Sequence, residues 1–164
     1  MKKIISIFLF LLPTLLLGQS IPLELKLENL QGQTVSLSQH LEKGPIFVAF
    51  WAIWCEPCKA ELRTLRTLNT TYAEKGLTIV AVSIDNSKSI SKVKSYIRSQ
   101  KYEFPVLLDP ESRLFELLNG KALPHAVLID SEGKIAKIRT GFLPGDEKEI
   151  EKDFISVLES LKKK

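Results

Sequence analysis

The sequence predicts an α/β domain built on a central mixed β-sheet flanked by helices, with extra β structure ahead of the core. Three observations predict it. Ile46-Phe47-Val48-Ala49-Phe50 is a continuous apolar run, as expected of a strand buried on both faces. A helical pattern follows it, and then a second apolar run from Leu77 to Ile84, which makes a βαβ unit. Further on, Ala126 to Ile129 and Lys134 to Ile138 flank the turn sequence Asp130-Ser131-Glu132-Gly133, which reads as a hairpin.

The remaining elements follow in order. Leu23, Leu25 and Leu27 alternate with Glu24, Lys26 and Glu28, the pattern of a half-buried strand. Gln31-Gly32-Gln33 is a turn, and Thr34 to Leu37 reads as a second strand. From Pro57 to about Lys75, residues Cys58, Glu61, Leu62, Leu65, Leu68 and Tyr72 recur at spacings of three and four, one face of a helix that Gly76 ends. Ser87 to Gln100 reads as a helix with a polar face, and Phe104 to Leu108 as a short strand. Asp109-Pro110 opens a short helix through Leu118, with Asp109 and Arg113 spaced to pair. Asp146 is the expected N-cap of a last helix reaching Leu161, with Ile150, Phe154, Val157, Leu158 and Leu161 turned to the core.

A length of 164 residues suits one domain with a full core, and 45% hydrophobic with 26% charged residues is ordinary for a soluble fold. The net charge of +4 includes lysines at both ends of the chain, and no basic stripe carries interleaved aromatics, so nucleic-acid binding has little support. Lys2-Lys3, the apolar stretch Ile4 to Leu17 and the small or polar Gly18-Gln19-Ser20 together read as a signal peptide over residues 1–19, or as an N-terminal anchor if uncleaved. The apolar stretch is shorter than the roughly 20 residues a spanning helix needs. Residues 20–164 form the expected exported domain, in surroundings where disulfides persist.

The chain's two cysteines are Cys55 and Cys58, separated by Glu56-Pro57 and placed between the first apolar run and its helix. That position sets Cys55 at a helix N-terminus, where unpaired N–H groups and the helix dipole stabilise a thiolate. Several readings compete for such a pair. Haem attachment needs a histidine after the second cysteine, and residue 59 is lysine. A structural zinc site wants four ligands, and the chain adds only His40 and His125. A static disulfide across so short a loop removes little chain entropy. A redox-active pair is favoured by Pro57, which suits the first turn of a helix and stiffens the ring.

The neighbouring residues carry their own alternatives. Trp51 suits the core, whereas Trp54, next to the first cysteine, suits the surface met by a partner. Glu61 shares a helix face with Cys58. On an apolar face its carboxyl would be desolvated and fit for proton exchange with the Cys58 sulfur; at the edge of that face it would be an ordinary solvated glutamate. Leu123-Pro124 precedes a strand, either as an edge proline or as a cis peptide. His125 next to it is either a proton-handling group or a packed side chain.

Phe50-Trp51-Ala52-Ile53-Trp54-Cys55-Glu56-Pro57-Cys58 resembles the thioredoxin superfamily, and Trp54 to Glu61 is similar to the exported TlpA/ResA-type thiol–disulfide oxidoreductases. Phe104-Pro105-Val106-Leu107-Leu108-Asp109, Leu123-Pro124 and Leu128-Ile129-Asp130 with Gly133 extend the match from about Ile21 to Leu161. The resemblance implies a thioredoxin-like fold in which Asp85 to about Gly120 is a central insertion. It implies that Cys55 is the exposed nucleophile, Cys58 the buried resolving thiol and Glu61 the active-site acid. It implies that Pro124 is a cis-proline facing the disulfide, so that Trp54, Glu56, Pro57, Leu123, Pro124 and His125 form the substrate-docking surface. Two positions depart from the common pattern. Ala49 stands where ordinary thioredoxins bury an acid, and His125 stands where threonine is common.

These readings converge on an exported thiol–disulfide oxidoreductase, a reductant of protein disulfides working through Cys55 and Cys58 with no other cofactor. The Glu56 charge beside the pair would oppose a thiolate at Cys55 and favour the reducing direction. With no third cysteine, an external donor is required, and the resemblance points to a membrane thiol-transfer protein. Apocytochrome c is one client class that the resemblance suggests, and a monomer is the expected state. The rival readings are a disulfide-forming oxidase, a copper metallochaperone using the two cysteines and His125, and a binding module with an incidental cysteine pair.

Overall fold

The computed structural model describes residues 21–162, and the expected signal or anchor segment lies outside the described residues. Seven strands form one sheet: β1 (Lys26–Asn29), β2 (Thr34–Ser36), β3 (Ile46–Trp51), β4 (Thr78–Ser83), β5 (Val106–Leu108), β6 (His125–Ile129) and β7 (Ile135–Thr140). Five helices accompany them: α1 (Leu37–Leu41), α2 (Glu56–Tyr72), α3 (Ile90–Gln100), α4 (Arg113–Leu117) and α5 (Asp146–Lys162). The strand order is β2-β1-β5-β4-β3-β6-β7. β3, β4 and β5 run parallel, and β1, β2, β6 and β7 extend the sheet by antiparallel pairs.

All six residues of β3 are buried, as the unbroken apolar run requires. Strand alternation divides its side chains between two cores. Phe47, Ala49 and Trp51 meet Leu62 and Leu65 of α2, Val93 of α3 and Phe154 of α5 on one face. Ile46, Val48 and Phe50 meet Leu37 of α1 and Leu114 of α4 on the other. The segment expected as an insertion supplies α3, β5 and α4, and β5 is the strand that joins the N-terminal hairpin to the central sheet. In the hairpin turn, Gly32 takes a φ of +78°, which glycine adopts without steric cost.

The structure departs from expectation between Leu23 and Leu37. The leucine alternation suggested a strand from Leu23, but the chain turns there, with the Leu25 N–H on the Pro22 carbonyl at 3.2 Å, and the strand starts at Lys26. Leu23 and Leu25 are still half-buried against the second core, so the apolar pattern reports burial without strand pairing. The sequence of Thr34 to Leu37 predicts a strand, yet Leu37 opens α1, and the Gln39 side chain reaches back 3.4 Å to the Ser36 N–H as part of a capping box. Asp109 turns its carboxylate to the Arg113 and Phe115 amides at 2.9 and 3.0 Å, so it organises the start of α4 through the backbone.

Helix α5 is held to the sheet by Phe154, which is fully buried and edge-to-face with Phe47 at 5.0 Å and Tyr72 at 5.4 Å. Phe154→Ala removes a ring from a close-packed site, and a loss of about 3–5 kcal/mol is expected. Denaturant unfolding of the oxidised protein measures it, and a loss below about 1 kcal/mol would show that the site collapses around the gap.

Candidate active site: a disulfide opening a helix

At the end of β3 the chain makes a tight turn before α2. The Cys55 N–H bonds the Ala52 carbonyl at 3.0 Å. The turn is tied to the end of β4 through Asp85. One oxygen of its buried carboxylate accepts the Ile53 N–H and the Ser83 hydroxyl, each at 2.9 Å. Cys55 is the N-cap of α2, and proline lies in the first turn. Cys55 and Cys58 are joined in a disulfide with Cα atoms 5.3 Å apart, and the Cys58 N–H points at the Cys55 Sγ from 3.3 Å. A thiolate formed at Cys55 would therefore meet an amide donor and the positive end of a 17-residue helix.

Exposure separates the two sulfurs less than expected. Cys58 is fully buried, and Cys55, expected to be exposed, retains only 5% of its surface. Both cysteines are therefore buried in the disulfide form, and the expected exposure of Cys55 is not seen. Trp54 beside it is 69% exposed, and Glu56 and Pro57 are exposed as well, whereas Trp51 is wholly core.

Glu61 lies one helical turn beyond Cys58 and is 2% exposed. Burial pushes its carboxyl up from the ordinary 4.5 to about 8, with Arg139 drawing it down and Asp146 raising it further. Its Oε2 has no hydrogen-bond partner among the described residues. A carboxyl in that state exchanges a proton with a thiol at little cost, because the two groups have similar affinities for it.

Glu56 corrects one argument drawn from the sequence. Its carboxylate pairs with Lys59 at 2.7 Å, so the negative charge expected to oppose a Cys55 thiolate is largely offset. Lys59 also lies over the Tyr96 ring, 5.5 Å from its centroid.

The Leu123-Pro124 peptide is cis, which decides between the two readings of that proline. The Pro124 carbonyl accepts the Gly141 N–H at 2.8 Å, tying the loop after β7 to the start of β6. That loop presents Leu143, 70% exposed, while Phe142 packs against the core that holds both cysteines. No periodic signal marks Leu143 in the sequence, because it lies in a connection. Asp85 was also missed: its link to Ile53 joins residues 32 positions apart.

His125 does not join the site. It alternates with Ala126, which faces the cysteine-bearing core, and so points to the opposite face of the sheet. There it packs on Phe50 and Phe115, with Nε2 3.0 Å from the Leu118 carbonyl and Nδ1 3.4 Å from the Thr140 hydroxyl. Desolvation lowers its pKa, which favours a neutral, packed imidazole. The docking role and the copper site that needed His125 beside the dithiol both lose their geometry. Among the described residues no group of three or more His, Cys, Asp or Glu side chains is arranged to hold a metal ion.

Comparison with known proteins agrees with this arrangement. Residues 17–138 match the AhpC/TSA family. The chain belongs to that family. It is similar to the thiol-disulfide oxidoreductase ResA of Bacillus subtilis, 36% identical over 70% of this chain and 63% of the relative. It is also similar to ResA of Geobacillus thermodenitrificans, 30% identical over 74% of this chain and 68% of the relative. The chain spans less than two thirds of the length of the Bacillus subtilis relative and of several other ResA relatives. Among solved structures it resembles a Chlorobium tepidum protein assigned as the thiol:disulfide interchange protein DsbE, at 28% identity and a TM-score of 0.75 over 82% of this chain and 92% of that one. The thioredoxin-like fold is thereby shown for this AhpC/TSA-family chain.

Two expectations follow from the site. Folded Glu61 keeps its proton to about pH 8, whereas the unfolded chain releases it near 4.5. The stabilisation this gives is full below the lower value and is lost as the pH rises to the higher one, a change of a few kcal/mol. Melting of the oxidised protein between pH 5 and 8 should show the loss, and Glu61→Gln should flatten it; equal slopes would place Glu61 in contact with water. Asp85→Ala should speed amide exchange at Ile53 at least tenfold while Asp85→Asn, which keeps an acceptor, leaves it slow. Unchanged exchange in both would mean that the turn is held by other contacts.

Proposed function

We propose that the protein is a thiol–disulfide oxidoreductase that reduces disulfides in protein clients. The observation that carries this reading is the Cys55–Cys58 disulfide at the start of α2 with the buried Glu61 carboxyl one turn behind it. In the reduced protein the Cys55 thiolate attacks one sulfur of a client disulfide, and the client's other sulfur leaves as a thiolate. Cys58 gives its proton to Glu61, left ionised when it protonated Cys58 during reduction of the disulfide, and attacks the Cys55 sulfur. The client departs as two thiolates, two electrons richer, which take their protons from water, and the Cys55–Cys58 disulfide is restored. When a donor reduces that disulfide, protonated Glu61 returns the proton to the Cys58 sulfur.

The reducing direction is supported by burial more than by Glu56. Cys58 is fully buried beside a carboxyl, and both conditions disfavour a thiolate there, so the reduced form gains little extra stability. Trp54, Glu56, Pro57, Leu123 and Pro124 would form the client-docking surface, and the exposed Leu143 would extend it. Residues 1–19 direct export, and an external membrane dithiol donor re-reduces the enzyme, which acts as a monomer. Among the described residues no helix is long and apolar enough to cross a membrane. Haem-attachment clients such as apocytochrome c fit this chemistry, as do other exported thiol proteins.

Cys58→Ser should accumulate mixed disulfides with clients, visible as bands that vanish on reduction, and Cys55→Ser should trap few. The reverse pattern would exchange the two roles, and no trapping by either would remove the redox function. Equilibration with glutathione or dithiothreitol should place the couple well below the roughly −120 mV of a strong oxidant such as DsbA. A value near that figure would make the protein an oxidase.

A further inference from the structure

At the end of the sheet away from the disulfide, the β1–β5 ladder stops at the Asn29–Leu107 pair, and the two chains part. The gap continues into a cavity of about 670 Å³ between the C-terminal half of α3 and the β1–β2 hairpin. Its lining includes the apolar side chains of Val35, Ile97 and Val106. Lys94, Arg98 and Lys101 also line it, against a single acid, Glu103. None of the three cations has an ion-pair or hydrogen-bond partner for its side chain among the described residues. His40 also lines the groove, and desolvation and Lys43 lower its pKa, so it adds no charge at neutral pH.

The local sequence explains the imbalance. From Asn86 to Tyr102 the chain carries Lys88, Lys92, Lys94, Arg98 and Lys101 and no aspartate or glutamate. A merely solvated helix face usually mixes both signs, which supports the helix through pairs three and four residues apart. Here the cations are left unpaired at the mouth of an apolar groove.

We propose that this groove docks an extended acidic segment of a partner protein. Side chains of an extended chain alternate between two faces. Apolar residues of the segment would enter between Val35, Ile97 and Val106 while carboxylates meet Lys94, Arg98 and Lys101. The concave shape favours a chain over a bilayer, whose flat surface would reach the cations and leave the apolar floor empty. The site is separate from the disulfide, so it selects or retains a partner without touching the redox chemistry, and it stands whether or not the proposed direction of electron flow holds.

The test uses the whole oxidised protein and two labelled hexapeptides, one alternating glutamate with leucine and the other lysine with leucine. The acidic peptide should bind one to a chain, and its affinity should fall at least tenfold between low salt and 0.5 M salt, where charges are screened within about 5 Å. The lysine peptide should not bind. The triple variant Lys94→Glu, Arg98→Glu, Lys101→Glu should lose at least tenfold in affinity, while reduction of a small uncharged disulfide stays within twofold of wild type. The milder pair Arg98→Gln, Lys101→Gln should fall between. Equal binding of both peptides, no binding by either, or an unaffected triple variant would overturn the proposal. So would binding to phosphatidylglycerol vesicles without binding to the acidic peptide, which would make the face a lipid contact.

Discussion

Strand β3 is paired on both edges, to β4 in parallel and to β6 antiparallel, and is covered by a core on each face. Its last residue, Trp51, is paired with Ser83 of β4 and wholly buried in the core that holds both cysteines. That fixed end is where the chain leaves the sheet, turns at Ala52 and begins α2 with Cys55. The position and direction of the helix dipole at the sulfur follow from the burial of β3. The parallel β4 then ends beside it, so Ser83 and Asp85 arrive where they can hold the turn.

The site combines charges that are offset with one that is suppressed. The exposed Glu56 and the half-buried Lys59 and Tyr96 ring form a chain in which the carboxylate and ammonium largely cancel. Glu61 has no such partner and lies behind the disulfide with burial as the largest influence upon it. The Glu56–Lys59 pair leaves the field at Cys55 to the helix end and the Cys58 amide, while burial keeps the Glu61 carboxyl protonated to about pH 8. The two glutamates have opposite fates because one lies on the outer face of the first turn and the other lies one turn along the inner face.

The sequence shows the central architecture because its cause is local. An unbroken apolar run can only be buried on two sides, and spacings of three and four place Cys58, Glu61, Leu62 and Leu65 on one face. The hidden features depend on contacts between distant segments. α1 is five residues long, too short to develop a period. Leu23 and Leu25 show the alternation of a strand and are buried from a turn. His125 sits next to the cis-proline in the chain, yet one step of strand alternation sends its ring to the far side of the sheet. Proximity in sequence suggested a role that the pleat prevents.

The disulfide closes across a single turn at the start of a helix, between residues three apart. Its ring encloses no part of the tertiary structure, and no other element of the fold is threaded through or stapled by it. Opening it releases only local constraint, since the entropy tied up by a cross-link grows with the length of chain it encircles. The architecture therefore separates the disulfide from the scaffold: the bond that the proposed reaction makes and breaks is one on which the shape of the molecule does not depend.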